Sequence, residues 1–433
     1  MPTLIARRSR LQGQADIPGS KSHTIRACLL AALARGTSEI TRPLMSNDTR
    51  AAVQVYTALG AGIDVGPERW RVQGTGGRVH APARELDVAN SGTTLRLALG
   101  SLALMADGAA VITGDHQIQA RPCAPLIQAL NDLGAHVQSV NHNGCAPLRV
   151  QGSLKGGQTE IACASSQYLT ALLLACPRAA GDSRIHVTQL QERGYVEITL
   201  DWLRRLGVAL EYDDDLSHIR IPGGQSWEGF ERAIPADFST ATFFLAMGAL
   251  GDNDIRCRGL DVDDVQPDRA VIDHLERLGA AVDIAADAIR TTGSSLQGCE
   301  LDLNTTPDAL PMLAVTACCA HGETRLVNVP QARIKETDRI AVMCAELTKM
   351  GADIEELPDG LVVRQSTLHG ADVHGHHDHR VVMALALAGI LADGTTRVDT
   401  ADAAAVTFPG FLEAVQNLGG SLELDRKSTR LNS

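Results

Sequence analysis

Aromatic residues, positive charge and long apolar stretches are all scarce in this sequence. Phe, Trp and Tyr make up 3% of its 433 residues, and the formal net charge is −12. A nucleic-acid-binding protein usually presents a basic face or stacking aromatic side chains. No apolar run reaches the roughly 18–20 residues of a membrane-spanning helix, and residues 1–8 lack the apolar segment of a secretion signal. We therefore expect a cytoplasmic protein with neither a nucleic-acid nor a membrane partner.

Paired CxxC cysteines are missing as well. The ten cysteines are scattered, and Cys28, Cys176, Cys318 and Cys319 fall within apolar stretches of helical length. Free thiols are usual in the cores of cytoplasmic proteins, whereas disulfides belong to oxidising compartments. The pattern therefore predicts buried thiols, and it gives no sign of a zinc site.

Glycine, in contrast, recurs at regular intervals. One series of glycines ends six apolar runs, at Gly36, Gly108, Gly181, Gly251, Gly322 and Gly394. A second series follows Leu or Met, at Gly60, Gly134, Gly207, Gly279, Gly351 and Gly419. Glycine just past the last helical residue is a common stop signal, because it adopts the left-handed conformation at low cost. The two series predict six copies of one unit that contains two helices.

Each predicted unit starts with a short strand and a polar loop. The helix that follows is apolar on all sides, as in residues 24–34 and 381–391, so it must be buried. The second helix is amphipathic, as in residues 124–133, so it should cover the outside.

The length of the chain favours two domains, since a single core rarely serves so many residues. We predict repeats 1–3 in residues 16–234 and repeats 4–6 in residues 1–15 together with 235–425. The first strand would then pair with the second half of the chain. Residues 426–433 fit no repeat and are interpreted as a disordered or extraneous tail.

The polar loops carry groups that bind anions. Ser, Thr, Asn and Asp cap helix starts, where unpaired backbone N–H groups attract negative charge. The loops also hold Lys21, Arg26, Arg96 and Arg380, which capping alone does not require. We expect these helix starts, three per domain, to form a site for small anionic substrates.

The loops are also specific enough to indicate a family. The sequence resembles the signatures of the 3-phosphoshikimate 1-carboxyvinyltransferase (EPSP synthase) family in six places. They are residues 18–27 (PGSKSHTIRA), 90–96 (NSGTTLR), 121–122 (RP), 165–169 (SSQYL), 333–340 (RIKETDRI) and 378–380 (DHR). The match runs from about residue 17 to residue 424.

This resemblance implies a fold and a reaction. The expected fold is a two-domain inside-out α/β barrel with six β-α-β-α-β-β repeats, three per domain. The expected reaction transfers the enolpyruvyl group of phosphoenolpyruvate to the 5-hydroxyl of shikimate 3-phosphate and releases phosphate. The resemblance also implies a monomer that uses no metal and no cofactor.

By similarity, each site residue receives a role. The catalytic residues would be Asp308 as base, Glu336 as proton donor, Lys21, and His379 as a group that orients proton transfer. Phosphoenolpyruvate would be bound by Lys21, Gly92, Arg121, Gln167, Arg339 and Arg380. Shikimate 3-phosphate would be bound by Lys21, Ser22, Arg26, Ser165, Ser166, Gln167, Arg193, Asp308, Gln331 and Lys335.

Three positions depart from the pattern of the family. Val406 stands where many members have lysine, so one cation expected on phosphoenolpyruvate is missing. Glu192 stands where serine usually lies near the shikimate phosphate, and we expect Arg193 to point inward and Glu192 outward. Gln331 replaces an asparagine and keeps the amide.

The sequence also allows three other interpretations. The related transferase that acts on UDP-N-acetylglucosamine carries a cysteine where this chain has His116. A non-catalytic anion-binding protein of the same repeats would be expected to lose residues such as Asp308 and Glu336, which are present. The histidines around His374 and His376 suggest a metal site, but we expect those two to lie on an exposed loop.

Overall fold

The structure, a computed structural model, describes residues 1–286 and 288–426. Contacts divide the chain into two compact units, one of Gly19–Ile234 and one of Met1–Pro18 with the residues from Pro235 onward. The sequence placed the first division after residue 15, whereas here it follows Pro18. The predicted tail lies outside the described residues except for Arg426.

Short strands alternate with helices along both units. The strands are β1 Thr3–Arg7, β2 Gln12–Asp16, β3 Thr37–Thr41, β4 Gly62–Val65, β5 Arg69–Gln73, β6 Leu86–Asp87, β7 Ala109–Thr113, β8 His136–Ser139, β9 Leu148–Gln151, β10 Gly157–Cys163, β11 Ser183–Leu190, β12 Glu211–Tyr212, β13 His218–Ile221, β14 Glu231–Ala233, β15 Asp254–Arg258, β16 Ala281–Ala285, β17 Ala288–Thr292, β18 Glu300–Asp302, β19 Glu323–Val327, β20 Asp353–Leu357, β21 Gly360–Arg364, β22 Asp372–Val373, β23 Thr395–Val398 and β24 Ser421–Asp425.

The α-helices are α1 Lys21–Leu33, α2 Asn47–Ala58, α3 Gly92–Leu102, α4 Ala124–Asp132, α5 Ser166–Ala175, α6 Arg193–Arg205, α7 Phe238–Gly248, α8 Val271–Arg277, α9 Leu310–Cys318, α10 Arg339–Lys349, α11 His379–Leu391 and α12 Phe411–Asn417. Short 3-10 helices lie at Ile118–Ala120, Cys176–Arg178, Pro267–Ala270, Pro307–Ala309, Pro330–Ile334 and Ala401–Val406. None of the helices in the described residues is long and apolar enough to cross a membrane.

The strands of the described chain form six four-stranded sheets of one topology. In the sheet of order β6-β7-β9-β8, the first pair is parallel and the other two pairs are antiparallel. The sheet of order β18-β19-β21-β20 repeats this arrangement. A helix joins β6 to β7 and another joins β7 to β8, so this sheet belongs to a β-α-β-α-β-β unit, which confirms the predicted repeat; in the sheet of β22, β23 and β24 the fourth strand is β1.

Two strands are exchanged between the repeats that contain α1 and α7. Strand β2 precedes α1 but pairs in parallel with β15, and β14 precedes α7 but pairs in parallel with β3. Strand β1 pairs with β23 and β24, so both N-terminal strands pair with strands of the later half of the chain, where the sequence predicted one such strand. The chain therefore passes between the two units twice.

The first helix of each repeat forms the core. Every residue of α7 and of α9 is buried, and α1, α3, α5 and α11 are buried almost throughout. Such helices bury apolar surface on all sides, as their uniform composition requires. The second helices are only partly buried, in agreement with their amphipathic pattern.

The cysteines predicted to be buried lie in or next to the core helices. Cys28, Cys176 and Cys318 lie inside core helices or at their ends, and burial raises the pKa of each thiol to about 12. Cys319 is only half-buried, so the prediction of a buried thiol is wrong for that residue.

Candidate active site

In the unit Gly19–Ile234, the start of α1 presents Lys21. Its Nζ lies 3.2 Å from the Oδ2 of Asp48, which is buried in the first turn of α2. The side chain of Lys21 is 16% exposed. Lys21 is therefore held by one carboxylate and remains accessible to solvent.

Arg26, one turn further along α1, is 2% exposed. Its Nε donates to the Thr199 Oγ1 at 2.8 Å, and its Nη groups donate to the carbonyls of Ser22 and Tyr195, each at 2.9 Å. Burial lowers its pKa to about 10. These bonds join α1 to α6, so Arg26 positions the start of α6 whatever it contributes to binding.

Gly92 begins α3 directly beside a guanidinium. A Cβ at this position would lie 2.4 Å from the Nη1 of Arg121 and 3.2 Å from that of Arg96. Arg121 is 7% exposed, and its Nη2 lies 3.5 Å from the Oδ1 of Asn90. Only glycine leaves room for the observed position of Arg121.

Arg96 joins the α3 and α5 starts. Its Nη1 donates to the Gln167 Oε1 at 2.6 Å, and its guanidinium lies 5.4 Å from the centroid of the Tyr168 ring. Gln167 in turn donates from Nε2 to the Thr93 Oγ1 at 3.1 Å, and the Tyr168 hydroxyl donates to the Pro122 carbonyl at 2.7 Å. Gln167 is thus fixed at both ends of its amide.

Ser166 is the first residue of α5, and its contacts differ from the prediction. The Oε2 of Glu192 accepts hydrogen bonds from the Ser166 hydroxyl at 2.9 Å and from the Ser166 N–H at 3.3 Å. Glu192 is 2% exposed, whereas Arg193 is exposed and pairs with Glu197 at 2.9 Å. The predicted orientation of the two residues is therefore wrong. Because α6 starts at Arg193, this side chain points along the exposed face of α6.

The other unit centres on Arg339, the first residue of α10, which is 1% exposed. Its Nη1 donates to Asp308 and its Nη2 to Glu336, both at 2.7 Å. Its Nε donates to Asp378 at 2.8 Å. Burial alone would lower the pKa of Arg339, but the charges of Asp378, Glu336 and Asp308 outweigh it and raise the pKa above its usual value.

Asp308, in the turn before α9, is surrounded by cations. Its carboxylate lies 2.7 Å from Arg339, 3.0 Å from Arg380 and 3.9 Å from the Nζ of Lys335. The Asp308 side chain is 18% exposed, so these three cations converge on a carboxylate that is open to solvent.

Of the other predicted residues of this unit, His379 and Gln331 are buried and Glu336 is partly buried. His379 is 1% exposed and lies in the first turn of α11. The Nε2 of Gln331 donates to the Asn304 carbonyl at 2.9 Å. Glu336 pairs with Arg339 but lies before α10, so this pair is not a contact within a helix.

The histidine-rich loop before α11 is held by acids. The Nδ1 of His374 lies 2.6 Å from Asp399, and the Nε2 of His376 lies 3.2 Å from Glu346. Glu346 also accepts the backbone N–H of His374 at 2.9 Å. Both histidines are half-buried rather than exposed, and within residues 1–286 and 288–426 no group of three or more such side chains has the geometry to hold a metal ion.

The contacts of three residues were not predicted, two in the later unit and one in the earlier. Asp378 was recognised only as part of a motif, yet it binds Arg339 and caps α11 through the N–H groups of Arg380 and Val381. Glu346, 28 residues before His374, had no signal in the sequence. Asp48 could have been found as an acid in the first turn of α2, but nothing linked it to Lys21.

The chain matches one protein family over most of its length. The profile of the family EPSP synthase (3-phosphoshikimate 1-carboxyvinyltransferase) matches residues 5–415. The 3-phosphoshikimate 1-carboxyvinyltransferase of Ruminiclostridium cellulolyticum is 49% identical over 421 residues, covering 97% of this chain and 99% of that protein. That of Acetivibrio thermocellus is 48% identical over 419 residues, with the same coverage.

A solved structure shares the fold. The EPSP synthase of Acinetobacter baumannii superimposes with a TM-score of 0.83 at 28% identity, covering 98% of this chain and all of that one. This similarity confirms the predicted two-domain α/β fold. On the family match and on the two relatives that are nearly half identical, the chain belongs to the EPSP synthase (3-phosphoshikimate 1-carboxyvinyltransferase) family.

Proposed function

We infer that this chain transfers the enolpyruvyl group of phosphoenolpyruvate to the 5-hydroxyl of shikimate 3-phosphate, with release of phosphate. Family membership supports the activity, and one structural observation fits it best. Asp308, a carboxylate 18% exposed at its side chain, is contacted by Lys335, Arg339 and Arg380 within one unit. Such a site combines a proton acceptor with cations for an anionic substrate.

Both substrates carry a phosphate and a carboxylate, so binding needs several fixed cations. Arginine supplies a planar fork that can bind a carboxylate or phosphate through two hydrogen bonds. Arg121, Arg339 and Arg380 are held by hydrogen bonds to neighbouring residues and would supply such forks to phosphoenolpyruvate. Lys21 would add a point charge, and Gln167 would orient the substrate through its fixed amide.

Shikimate 3-phosphate would be bound mainly through the starts of α1 and α5. Ser22, Ser165 and Ser166 offer hydroxyl and backbone donors at these helix starts, where an anion is favoured. Gln167 and Arg26 would contribute from the same helices, while Gln331, Lys335 and Asp308 would bind the ring hydroxyls. Arg193 has no part in this proposal, because it faces away along α6.

The addition step requires two proton transfers: the 5-hydroxyl loses a proton and C3 of phosphoenolpyruvate gains one. Asp308 would take the proton of the 5-hydroxyl while the hydroxyl oxygen attacks C2 of phosphoenolpyruvate. Glu336, in its protonated form, would give a proton to C3. Glu336 would then take a proton back from C3, and phosphate would leave with the proton held by Asp308, which restores the double bond and returns both side chains to their starting forms. General acid–base groups of this kind contribute about 10²–10⁴-fold each. His379, which is buried, would orient one of the two groups that transfer protons.

The activity can be tested with purified full-length protein. Phosphate release is measured with both substrates, with each alone, and with UDP-N-acetylglucosamine in place of shikimate 3-phosphate. We expect release only with phosphoenolpyruvate and shikimate 3-phosphate together, and a product heavier than shikimate 3-phosphate by one enolpyruvyl group. Release with the sugar nucleotide would favour the related transferase, and no release with either acceptor would favour an anion-binding protein without catalysis.

We further propose that the protein is a monomer and lies in the cytoplasm. Gel filtration with light scattering tests the oligomeric state.

A further inference from the structure

Glu192 is a buried acid that turns away from its own helix. It occupies the N-cap position of α6 with a φ of 57°, in the left-handed region that residues other than glycine seldom adopt. Its side chain makes no capping hydrogen bond to α6. Instead its Oε2 accepts both the hydroxyl proton and the backbone N–H of Ser166. Glu192 therefore interacts with the start of α5.

The two donors of Ser166 are the ones that an incoming anion would use. Ser166 is the first residue of α5, so its N–H has no carbonyl partner within that helix. Its hydroxyl carries a single proton and can donate it to one acceptor at a time. With Glu192 in place, both donors are engaged and both residues are 2% exposed.

We propose that Glu192 is a built-in anion that occupies the donors of Ser166 until the phosphate of the substrate displaces it. This rests on the proposed function, which assigns Ser166 to shikimate 3-phosphate. A dianionic phosphate at the start of α5 meets the like charge of Glu192, so binding requires the carboxylate to leave. The residue thereby weakens binding of phosphorylated ligands, while a ligand without phosphate has no reason to displace it.

The neighbouring helix α6 provides a matched control. Glu197 also carries one negative charge, but it is exposed and pairs with Arg193 at 2.9 Å. Glu192→Ser and Glu197→Ser therefore change the net charge equally, but only Glu192→Ser removes the contact with Ser166. Glu192→Gln keeps the size of the side chain and removes the charge.

The test is calorimetric titration of wild type and the three variants with shikimate 3-phosphate, inorganic phosphate and shikimate. For Glu192→Ser we expect the dissociation constant for shikimate 3-phosphate to fall about tenfold, since like charges in contact are costly. Glu192→Gln should show a smaller gain, and Glu197→Ser should remain within about twofold of wild type. Affinity for shikimate should be the same in all four proteins.

An unchanged or weaker affinity of Glu192→Ser and Glu192→Gln for both phosphate ligands would overturn the proposal and make Glu192 a structural cap of α5. If Glu192→Ser does not fold, the same comparison is decided by Glu192→Gln. The titration with inorganic phosphate tests the role of Glu192 independently of the proposed substrate. A gain for inorganic phosphate without any binding of shikimate 3-phosphate would support the role of Glu192 and contradict the substrate.

Discussion

Arg339 and Asp378 form a buried two-point ion pair. The Nε and Nη2 of Arg339 donate to the two oxygens of Asp378 at 2.8 and 3.2 Å, and the side chains are 1% and 0% exposed. Asp378 also accepts the N–H of Arg380 at 2.8 Å, at the start of α11. One carboxylate thus fixes the guanidinium of Arg339 and the helix that carries Arg380, so α10 and α11 present their arginines as one set.

Replacing Asp378 should destabilise the protein strongly. Asp378→Ala leaves Arg339 with fewer counter-charges and removes the cap of α11. Removing one partner of a buried pair costs about 3–5 kcal/mol, and we expect that loss in the free energy of unfolding measured with urea. Glu323→Ala, which breaks an exposed pair with Arg364, should cost about 1 kcal/mol or less. Equal effects of the two substitutions would contradict this account.

Glu346 should stabilise the protein in a pH-dependent way. Burial raises its pKa, but hydrogen bonds from Lys349, from the His374 N–H and from His376 outweigh burial and lower the pKa below 4.5. An acid with a lowered pKa in the folded state stabilises the fold above its unfolded pKa and loses that contribution as the pH falls through its folded pKa. Glu346→Gln should therefore lower the melting temperature at neutral pH, and the difference from wild type should shrink below pH 4.5.

The control for Glu346 is Glu355→Gln, an exposed acid 3.6 Å from Arg364. Its melting temperature should follow that of wild type at every pH, because exposed pairs contribute little. A difference between Glu346→Gln and wild type that stays constant on acidification would show that the carboxylate charge is not what holds the loop of His374.

Gly92 should be needed for binding phosphoenolpyruvate rather than for folding. In Gly92→Ala the new methyl group would lie 2.4 Å from the Nη1 of Arg121, so the guanidinium must move. Displacement of a substrate-binding group by about 1 Å can cost up to about a hundredfold. We expect the KM for phosphoenolpyruvate to rise about tenfold or more, with the melting temperature nearly unchanged.

Gly62→Ala provides the comparison for Gly92. Gly62 lies in strand β4, where the nearest atom to an added Cβ would be the Cβ of Gln73 at 3.4 Å, an ordinary contact. Its steady-state constants should equal those of wild type. An unchanged KM in Gly92→Ala would mean that Arg121 does not bind phosphoenolpyruvate in the observed position.

The repeat and most helix starts could be predicted from the sequence because they depend on local patterns, whereas the fold was predicted from the resemblance to a known family. Glycine spacing and uniformly apolar helices predicted six units correctly, and Asp378 could be recognised as a helix-start residue. The exchange of β2 and β14 between repeats was not predicted in full, since it depends on which strand edge each segment meets.

Side-chain orientations could not be predicted in the same way. Glu192 was expected to point outward because a carboxylate repels phosphate, but it accepts two hydrogen bonds from Ser166. Arg193 follows the helical direction of α6 instead and meets Glu197. These side-chain orientations depend on contacts between segments that are far apart in the sequence. The pairing of Glu346 with the loop of His374 depends on such contacts as well.

The central claim, that Asp308 accepts the proton during enolpyruvyl transfer, is tested most directly by the turnover of Asp308→Asn. The substitution keeps the size of the side chain and removes the base beside Arg339 and Arg380. We predict that phosphate release from both substrates falls about 10²–10⁴-fold while shikimate 3-phosphate still binds. Asp283→Asn, at an exposed acid of strand β16, should retain wild-type turnover. Turnover of Asp308→Asn close to that of wild type would contradict the account.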